Sequence, residues 1–293
     1  MSRSLAVDIG GTFTDLVLLD HETRELRVAK SSSSPDALAE GVLACLASAG
    51  AELAEVEFFV HGTTVGLNAV LEGKGVPTGL VTTRGFRDIY AIGRMDKPDM
   101  YSYVYEKPRP LVPRDRVFEV DARIDAFGQV LVPLDTAEVE ALAEALEDRG
   151  VRSVAVCTLH AYANPAHELE IRRILARRLH GVSISLSHEV SGEWREYERT
   201  STVVMNAYLQ PLITAYLVDL VRQLAGRGYH RSLYVMQCIG GIMNAALAKA
   251  RSIQTLLSGP AGGAIGASQV ARRLGDAKII SLDMGGTSCD VSL

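Results

Sequence analysis

Two short phrases in this 293-residue chain hold the residue types that phosphate chemistry uses: DIGGTFTD at 8–15 and DMGGTSCD at 283–290. They share five of eight positions, and each follows an apolar run. The glycines permit positive φ and let backbone N–H groups approach an anion closely. Thr12 and Thr14 add hydroxyl donors, and Asp8 at a strand end suits a phosphate-bound Mg2+ or its waters. The turn returns into a strand, and no GxxxxGK[ST] occurs, which excludes a Walker-type loop. One Gly-Gly turn is ordinary hairpin punctuation. Two copies framed by aspartates point to two similar half-domains facing each other, each gripping one side of a nucleotide's phosphates.

Such phrases need strands on both sides and layers behind them. Residues 5–8 and 16–20 read as short apolar strands joined by the Gly-Gly turn, with 25–30 as a third strand of the same meander. Ser34 is read as the N-cap of a helix that runs to about Ala49 and stops at Gly50. A strand at 56–60, a helix at 64–72 and a strand at 77–82 follow, an alternation that predicts an α/β layered fold. From 85 to about 133 the texture changes, with five of the ten prolines, a set of tyrosines, and arginines that include Arg94. This reads as an insertion beside the sheet, either a binding wall or a solvated excursion packed by its own aromatics. Regular structure resumes with a helix at 136–149, a strand at 153–159, a helix after Asn164-Pro165 and a strand at 182–186. A long helix is predicted at 201–224, interrupted or kinked near Pro211, then a strand at 232–236. GPAGGAIGASQVARRLG reads as a helix opening with small residues, and 278–283 as the final apolar strand.

The bulk properties set limits. A 47% hydrophobic and 22% charged composition is that of a globular protein with ample core. The net charge of −5 gives no reason to expect nucleic acid or an anionic membrane as partner. No run of about 18 apolar residues stands out as a membrane span. The four cysteines are scattered without CxxC spacing, as expected of reduced thiols in a cytoplasmic protein.

Other candidates carry less. Thr63 and Thr64, after His61-Gly62, either face a site or cap the next helix. His160 and His167 flank a turn and are not read as ligands. Glu193, Arg195, Glu196, Glu198 and Arg199 read as a solvated face with internal ion pairs. A Rossmann-like reading of 253–283 is disfavoured, because GPAGGAIG lacks GxGxxG spacing and leaves the second aspartate phrase unexplained.

The paired phrases resemble the phosphate hairpins of the actin-like (ribonuclease H-like) ATPase superfamily. There a helix rich in small residues precedes the second hairpin and crosses the domain interface. DIGGTFTD, HGTTVGLNAVLEGKG, TTRGFRDIYAIGR, EYERTSTVVMNAYLQP, LSGPAGGAIGA and DMGGTSCD together resemble the hydantoinase A and 5-oxoprolinase family, which includes acetone carboxylase subunits. The match covers essentially the whole chain. Gly66-Leu67, the stretch 94–98, Cys238-Ile239 and Cys289 depart from the family pattern, and Cys289 replaces a threonine in the second hairpin.

The resemblance implies a first ATPase domain at 1–258 carrying the insertion at about 85–133, a crossing helix at 259–277, and the start of a second ATPase domain at 278–293. On this expectation the chain is an N-terminal portion, inactive alone. The implied activity is ATP-dependent hydrolysis of a cyclic amide of the hydantoin or 5-oxoproline type, through phosphorylation of the carbonyl oxygen. Asp8 and Asp283 are implied as catalytic residues and as ligands of Mg2+ through water. Gly10, Gly11, Thr12, Thr14, Gly285, Gly286, Thr287 and Ser288 are implied to cradle phosphate. In the family His61 with Thr63 and Thr64 lies at a strand end facing the cleft, and these three with Arg94 are the substrate candidates. A hydantoinase B-like subunit is the implied partner in a hetero-oligomer. The alternatives are a subunit of an ATP-dependent acetone or acetophenone carboxylase, and a non-catalytic actin-like scaffold.

Overall fold

The computed structural model describes residues 2–34, 37–94, 99–276, 278–284 and 289–293. The chain divides into two units, Met1–Lys74 with Leu212–Leu293, and Gly75–Pro211. It opens with β1 (Arg3–Ile9), β2 (Phe13–Asp20), β3 (Leu26–Ser32), α1 (Leu38–Ser48), β4 (Val56–Thr63) and α2 (Val65–Leu71). The second unit holds β5 (Thr78–Thr83), α3 (Ile89–Ile92), β6 (Val117–Val120), β7 (Arg123–Ile124) and β8 (Val130–Val132). It continues with α4 (Thr136–Asp148), β9 (Ser153–Cys157), α5 (Ala166–Arg178), β10 (Ser183–Leu186) and α6 (Ser187–Val190). α7 (Glu196–Ala225) ends that unit and leads back into the first. There follow β11 (Leu233–Met236), β12 (Ile242–Asn244), α8 (Ala245–Ala250), α9 (Ser258–Leu274), β13 (Ser281–Met284) and β14 (Cys289–Ser292).

The first unit is built on a six-stranded sheet in the order β12-β11-β4-β1-β2-β3. The β1–β2–β3 meander is antiparallel, whereas β4 runs parallel to both β1 and β11. Alternation decides the faces, because successive strand residues point to opposite sides. Leu5, Val7 and Ile9 of β1, with Leu16 and Leu18 of β2, are buried under α1, while Ala6 and Asp8 point the other way. Gly41 of α1 makes the close approach possible, since a Cβ there would stand 2.7 Å from Thr14 Oγ1. β13 and β14 form a separate two-stranded antiparallel pair.

The second unit holds a four-stranded sheet ordered β10-β9-β5-β6, parallel throughout. Every residue of β5 and β9 is buried, as a parallel sheet covered on both faces requires. α4 and α5 cover one face with Val139, Leu146, Ile171 and Ile174, and the first half of α7 covers the other with Val203, Val204 and Ala207. Asp135 caps α4 by accepting the N–H of Ala137 at 2.9 Å.

Several elements differ from their sequence reading. The 85–133 stretch is not wholly an excursion, because β6 within it pairs with β5 as an integral strand. α1 starts at Leu38 with Ala37 before it and no side-chain cap, so Ser34 does not cap it. α7 is 30 residues long and runs through Pro211. Its length and composition suffice to cross a membrane, which the apolar count along the sequence did not register. Its apolar residues nonetheless pack within each unit in turn, with Val203, Val204 and Leu209 buried before the boundary and Ile213, Leu217 and Leu220 after it. The stretch 252–255 is a 3-10 turn, which removes the first strand that a Rossmann-like unit would need.

Candidate functional site

The turn between β1 and β2 is closed by Gly10, whose N–H donates to Phe13 O at 2.9 Å. It is held from the side by Ser33, whose N–H donates to Thr12 O at 2.8 Å. Beneath it Asp8 pairs across the ladder with Asp15, and Ile9 with Thr14. On the other side Asp8 pairs with Gly62 of β4, in the parallel register that sets Val7 beside His61 and Ile9 beside Thr63. The Asp8 carboxylate occupies space that two glycines leave free. A Cβ on Gly62 would stand 2.6 Å from Asp8 Oδ1, and one on Gly259, at the start of α9, 3.1 Å from it.

These groups border a cleft of about 390 Å³ lined by Asp8, Gly10, Gly11, Thr12, Lys30 and Asp283 among others. Asp8 opens onto this cleft, yet protein surrounds it closely. Burial, then the charges of Asp283 and Asp15, push its carboxyl up from 3.8 to about 6. Lys30 pairs across the ladder with Asp15 and its Nζ lies 2.8 Å from Asp15 Oδ1. The cleft therefore sets Lys30 and several carboxylates around a turn whose Gly11 and Thr12 are exposed, the Gly10 N–H being spent on Phe13 O. Gly285, Gly286, Thr287 and Ser288, expected on the facing turn, lie outside the described residues. The strands that flank them bring Asp283 and Asp290 into the same cleft.

Three expected site residues point elsewhere, and strand alternation explains each. Thr14 is fully buried, its Oγ1 3.0 Å from Ser33 Oγ and packed toward α1, so it offers nothing to a phosphate. His61 shares the face of Val7, not that of Asp8, and is fully buried. Its Nδ1 lies 3.2 Å from Val7 O, which can only accept, so that nitrogen carries the proton. Nε2 then accepts the Tyr216 hydroxyl at 2.6 Å. Burial lowers the His61 pKa to about 4 and raises that of Tyr216 well above its usual 10, so both are neutral. His61 is a structural strut beneath the sheet, not a group facing the cleft. Thr63 is buried too, because its Oγ1 accepts the Val65 N–H at 3.1 Å and its N–H donates to Ser258 Oγ at 3.0 Å. It serves the start of α2 and ties β4 to α9.

Thr64 does line the cleft, with its hydroxyl donating to Ile9 O at 3.1 Å. Arg94 belongs to the other unit, where its Nε donates to Glu198 Oε1 at 2.8 Å in an exposed ion pair. Lys30 is not among the sequence candidates, and Gly62 and Gly259 figure there only within the longer stretches 61–64 and GPAGGAIGA. Gly62 was visible as the residue between His61 and Thr63, and only the β1–β4 register shows that it, not its neighbours, meets Asp8. Arg199, expected on a solvated face, is 2% exposed.

Comparison with known proteins places this geometry in a class. In solved structures the chain is similar to acetone carboxylase in its nucleotide-free form, with TM-score 0.90 and 29% identity over 99% of this chain and 43% of that one. It is also similar to the ATP-dependent caprolactamase of Pseudomonas jessenii, with TM-score 0.85 and 33% identity over 98% of this chain and 43% of that one. The fold is of the actin-like ATPase type. Among sequences, the chain is 39% identical to an uncharacterized protein of Methanocaldococcus jannaschii, over 100% of this chain and 43% of the relative. It is 35% identical to the acetophenone carboxylase gamma subunit of Aromatoleum aromaticum, over 99% of this chain and 42% of the relative. The hydantoinase/oxoprolinase N-terminal region matches residues 4–179 and the hydantoinase/oxoprolinase region 199–293. The chain belongs to the hydantoinase/oxoprolinase family. It spans 43% or less of the length of these relatives.

Proposed function

We propose that this chain carries a phosphate-binding wall of an ATP-dependent enzyme that activates a carbonyl oxygen by phosphorylation, with a cyclic amide of the hydantoin or 5-oxoproline type as substrate. The observation that carries the reading is the seat of Asp8, between Gly62 and Gly259 and beside the open turn Gly10–Thr12. A lactam or cyclic ureide resists water because resonance weakens its electrophilic carbon and nitrogen leaves poorly. Attack of its carbonyl oxygen on the γ-phosphorus, with departure of ADP, creates an imidate-like phosphate that water can add to. Such transfer asks the protein for positioning and charge neutralisation more than for covalent chemistry. In this reading Gly10, Gly11 and Thr12 cradle phosphate with Gly285, Gly286, Thr287 and Ser288 opposite, and Asp8 and Asp283 orient the attacking group.

The residues fit a hydrated Mg2+. No group of three metal-binding side chains converges among the described residues, which does not suit a direct protein cage. Asp8 and Asp283 repel one another across the same cleft, and a cation held through its waters relieves that repulsion. When bound, the ion neutralises charge on the transferring phosphate.

A second reading rests on the likeness to acetone carboxylase, the higher of the two TM-scores. There the same phosphorylation would activate a ketone before carboxylation, in a hetero-oligomer. For the amide reading the proposed partner is a hydantoinase B-like subunit. An oxygen-transfer experiment tests the shared step. With the hetero-oligomer, ATP and amide labelled with 18O at the carbonyl, label should appear in the released phosphate. Substrate-dependent ATP turnover that yields only unlabelled phosphate would remove carbonyl phosphorylation.

A further inference from the structure

At the carboxyl edge of the second unit's sheet lies a buried guanidinium with two donors unanswered. The order β10-β9-β5-β6 reverses at β5, because the chain leaves β5 for β6 on one side and returns to β9 on the other. Open α/β sheets collect ligands outside the carboxyl ends of their strands at such a reversal. Here those ends are Thr83 and Cys157, tied together by the Leu159 N–H donating to Thr83 Oγ1 at 3.0 Å. Arg199, in the first turn of α7, reaches this edge. Its Nη2 donates to Thr158 O at 2.7 Å, and its guanidinium lies 5.4 Å from the Tyr162 ring centroid.

The remaining donors are unanswered. Arg199 is 2% exposed, yet Nε and Nη1 find no acceptor, and Thr158 Oγ1, on the residue whose carbonyl takes the Nη2 bond, is also buried without a partner. Glu168, the buried acid at the same edge, is already committed. Its Oε1 accepts from Thr158 N–H at 3.0 Å and the Ser187 hydroxyl at 2.6 Å, and its Oε2 from His188 N–H at 3.2 Å and His188 Nδ1 at 2.7 Å. A buried guanidinium is costly unless paired and hydrogen-bonded, and water supplies acceptors but no charge. His160 and Arg195, on the two segments that lead to Tyr162 and to α7, hold φ of 54° and 79°, which side chains rarely adopt. Strain of this kind gathers at ligand sites.

We propose that Arg199 and Thr158 form a binding site for a small oxyanion, a carboxylate or a tetrahedral inorganic anion, distinct from the Asp8 cleft. The Nε and Nη1 groups and the Thr158 hydroxyl donate to its oxygens. Thermal unfolding of the whole chain, titrated with sodium acetate, sodium sulfate and sodium chloride at matched ionic strength, tests it. Acetate or sulfate should raise the melting temperature saturably where chloride does not, and whichever acts identifies the source of the oxyanion. The response should vanish in Arg199→Met. In Thr158→Val, which keeps the guanidinium and tests the site without removing a buried charge, its midpoint should move up about tenfold, the value of one hydrogen bond to a charged group. Both variants leave residues 8–15 intact, so anion binding at the hairpin would persist in them. A response equal to that of chloride, or unchanged in Thr158→Val, overturns the proposal. So does a selenate-soaked crystal showing only water at Arg199.

Discussion

The two aspartate phrases fold alike and live differently. In both, the framing aspartates become direct cross-strand partners, Asp8 with Asp15 and Asp283 with Asp290. Around the first, four further strands and α1 close in, so that Leu16 is 1% exposed. At the matching place in the second, Val291 is 61% exposed, and among the described residues β13 and β14 have only each other as sheet neighbours. The ladder is thus a local property of the phrase. The perturbed acidity of Asp8 is not local, since it comes from burial among Gly62, Gly259 and the other carboxylates. A repeated motif repeats its hairpin, while its chemistry is conferred by what the rest of the chain packs around it.

Matched truncations should show this most strongly. Leu16→Ala removes a side chain from the closed core and is expected to cost about 2–5 kcal/mol, read as a fall in unfolding free energy in urea. Val291→Ala, its counterpart, should stay within about 0.5 kcal/mol. Equal losses would mean that the second hairpin is covered in solution as the first is. The strut beneath the first hairpin comes next. Tyr216→Phe leaves the buried Nε2 of His61 without its donor, a loss of about 1–3 kcal/mol by the same measurement. An unchanged stability would show that the Tyr216–His61 bond contributes nothing to the sheet.

The residues that escaped the sequence reading did so for one physical reason. The α/β alternation, the meander, the small-residue helix and the aspartate turns were legible, because apolar periodicity and glycine placement are written along the chain. Which face a strand residue takes is set by register with a distant strand, and a shift of one position reverses it. His61, Gly62 and Thr63 illustrate the point. The chemically conspicuous histidine and threonine point into the core, and the inconspicuous glycine between them is the one that touches Asp8. Lys30 was missed likewise, since only the β2–β3 pairing sets it against Asp15. Cys289 replaces a threonine at the position that corresponds to Thr14, whose own hydroxyl lies 3.0 Å from Ser33 Oγ, on the buried face.

Asp8→Asn tests the chemical half of the comparison. If the proposed function holds, amide-dependent ATP turnover by the proposed hetero-oligomer falls at least about tenfold, some 1.4 kcal/mol of barrier. Undiminished turnover would take Asp8 out of the mechanism. Stability should move the other way. The folded pKa of about 6 lies above the ordinary 3.8, so folded Asp8 holds its proton in that window, and its ionisation destabilises the fold as pH rises through 6. The variant should therefore melt above wild type at pH 7, with the gap closing as pH falls toward about 4. His61 has the opposite sign, because its folded pKa of about 4 lies below 6.5 and stability is lost as pH falls between them. The two slopes oppose each other in wild type, and Asp8→Asn should uncover the acid-side loss due to His61.

The smallest effect is the most discriminating, because it asks whether the second hairpin contributes charge to the first. Burial raises the Asp8 pKa most, Asp283 next and Asp15 least. Asp283→Asn removes one repelling charge and leaves the glycine seat intact. The Asp8 midpoint, followed by carboxyl 13C chemical shift, should drop below about 6 yet stay above 3.8, since burial persists. Asp15→Asn should lower it less, and it also frees Lys30 from its partner, which strengthens the cation that faces the cleft. A midpoint indifferent to Asp283→Asn would separate the two hairpins electrically. The phrase at 283–290 would then be a structural echo of the first, and a phosphate held by both of them would lose its support.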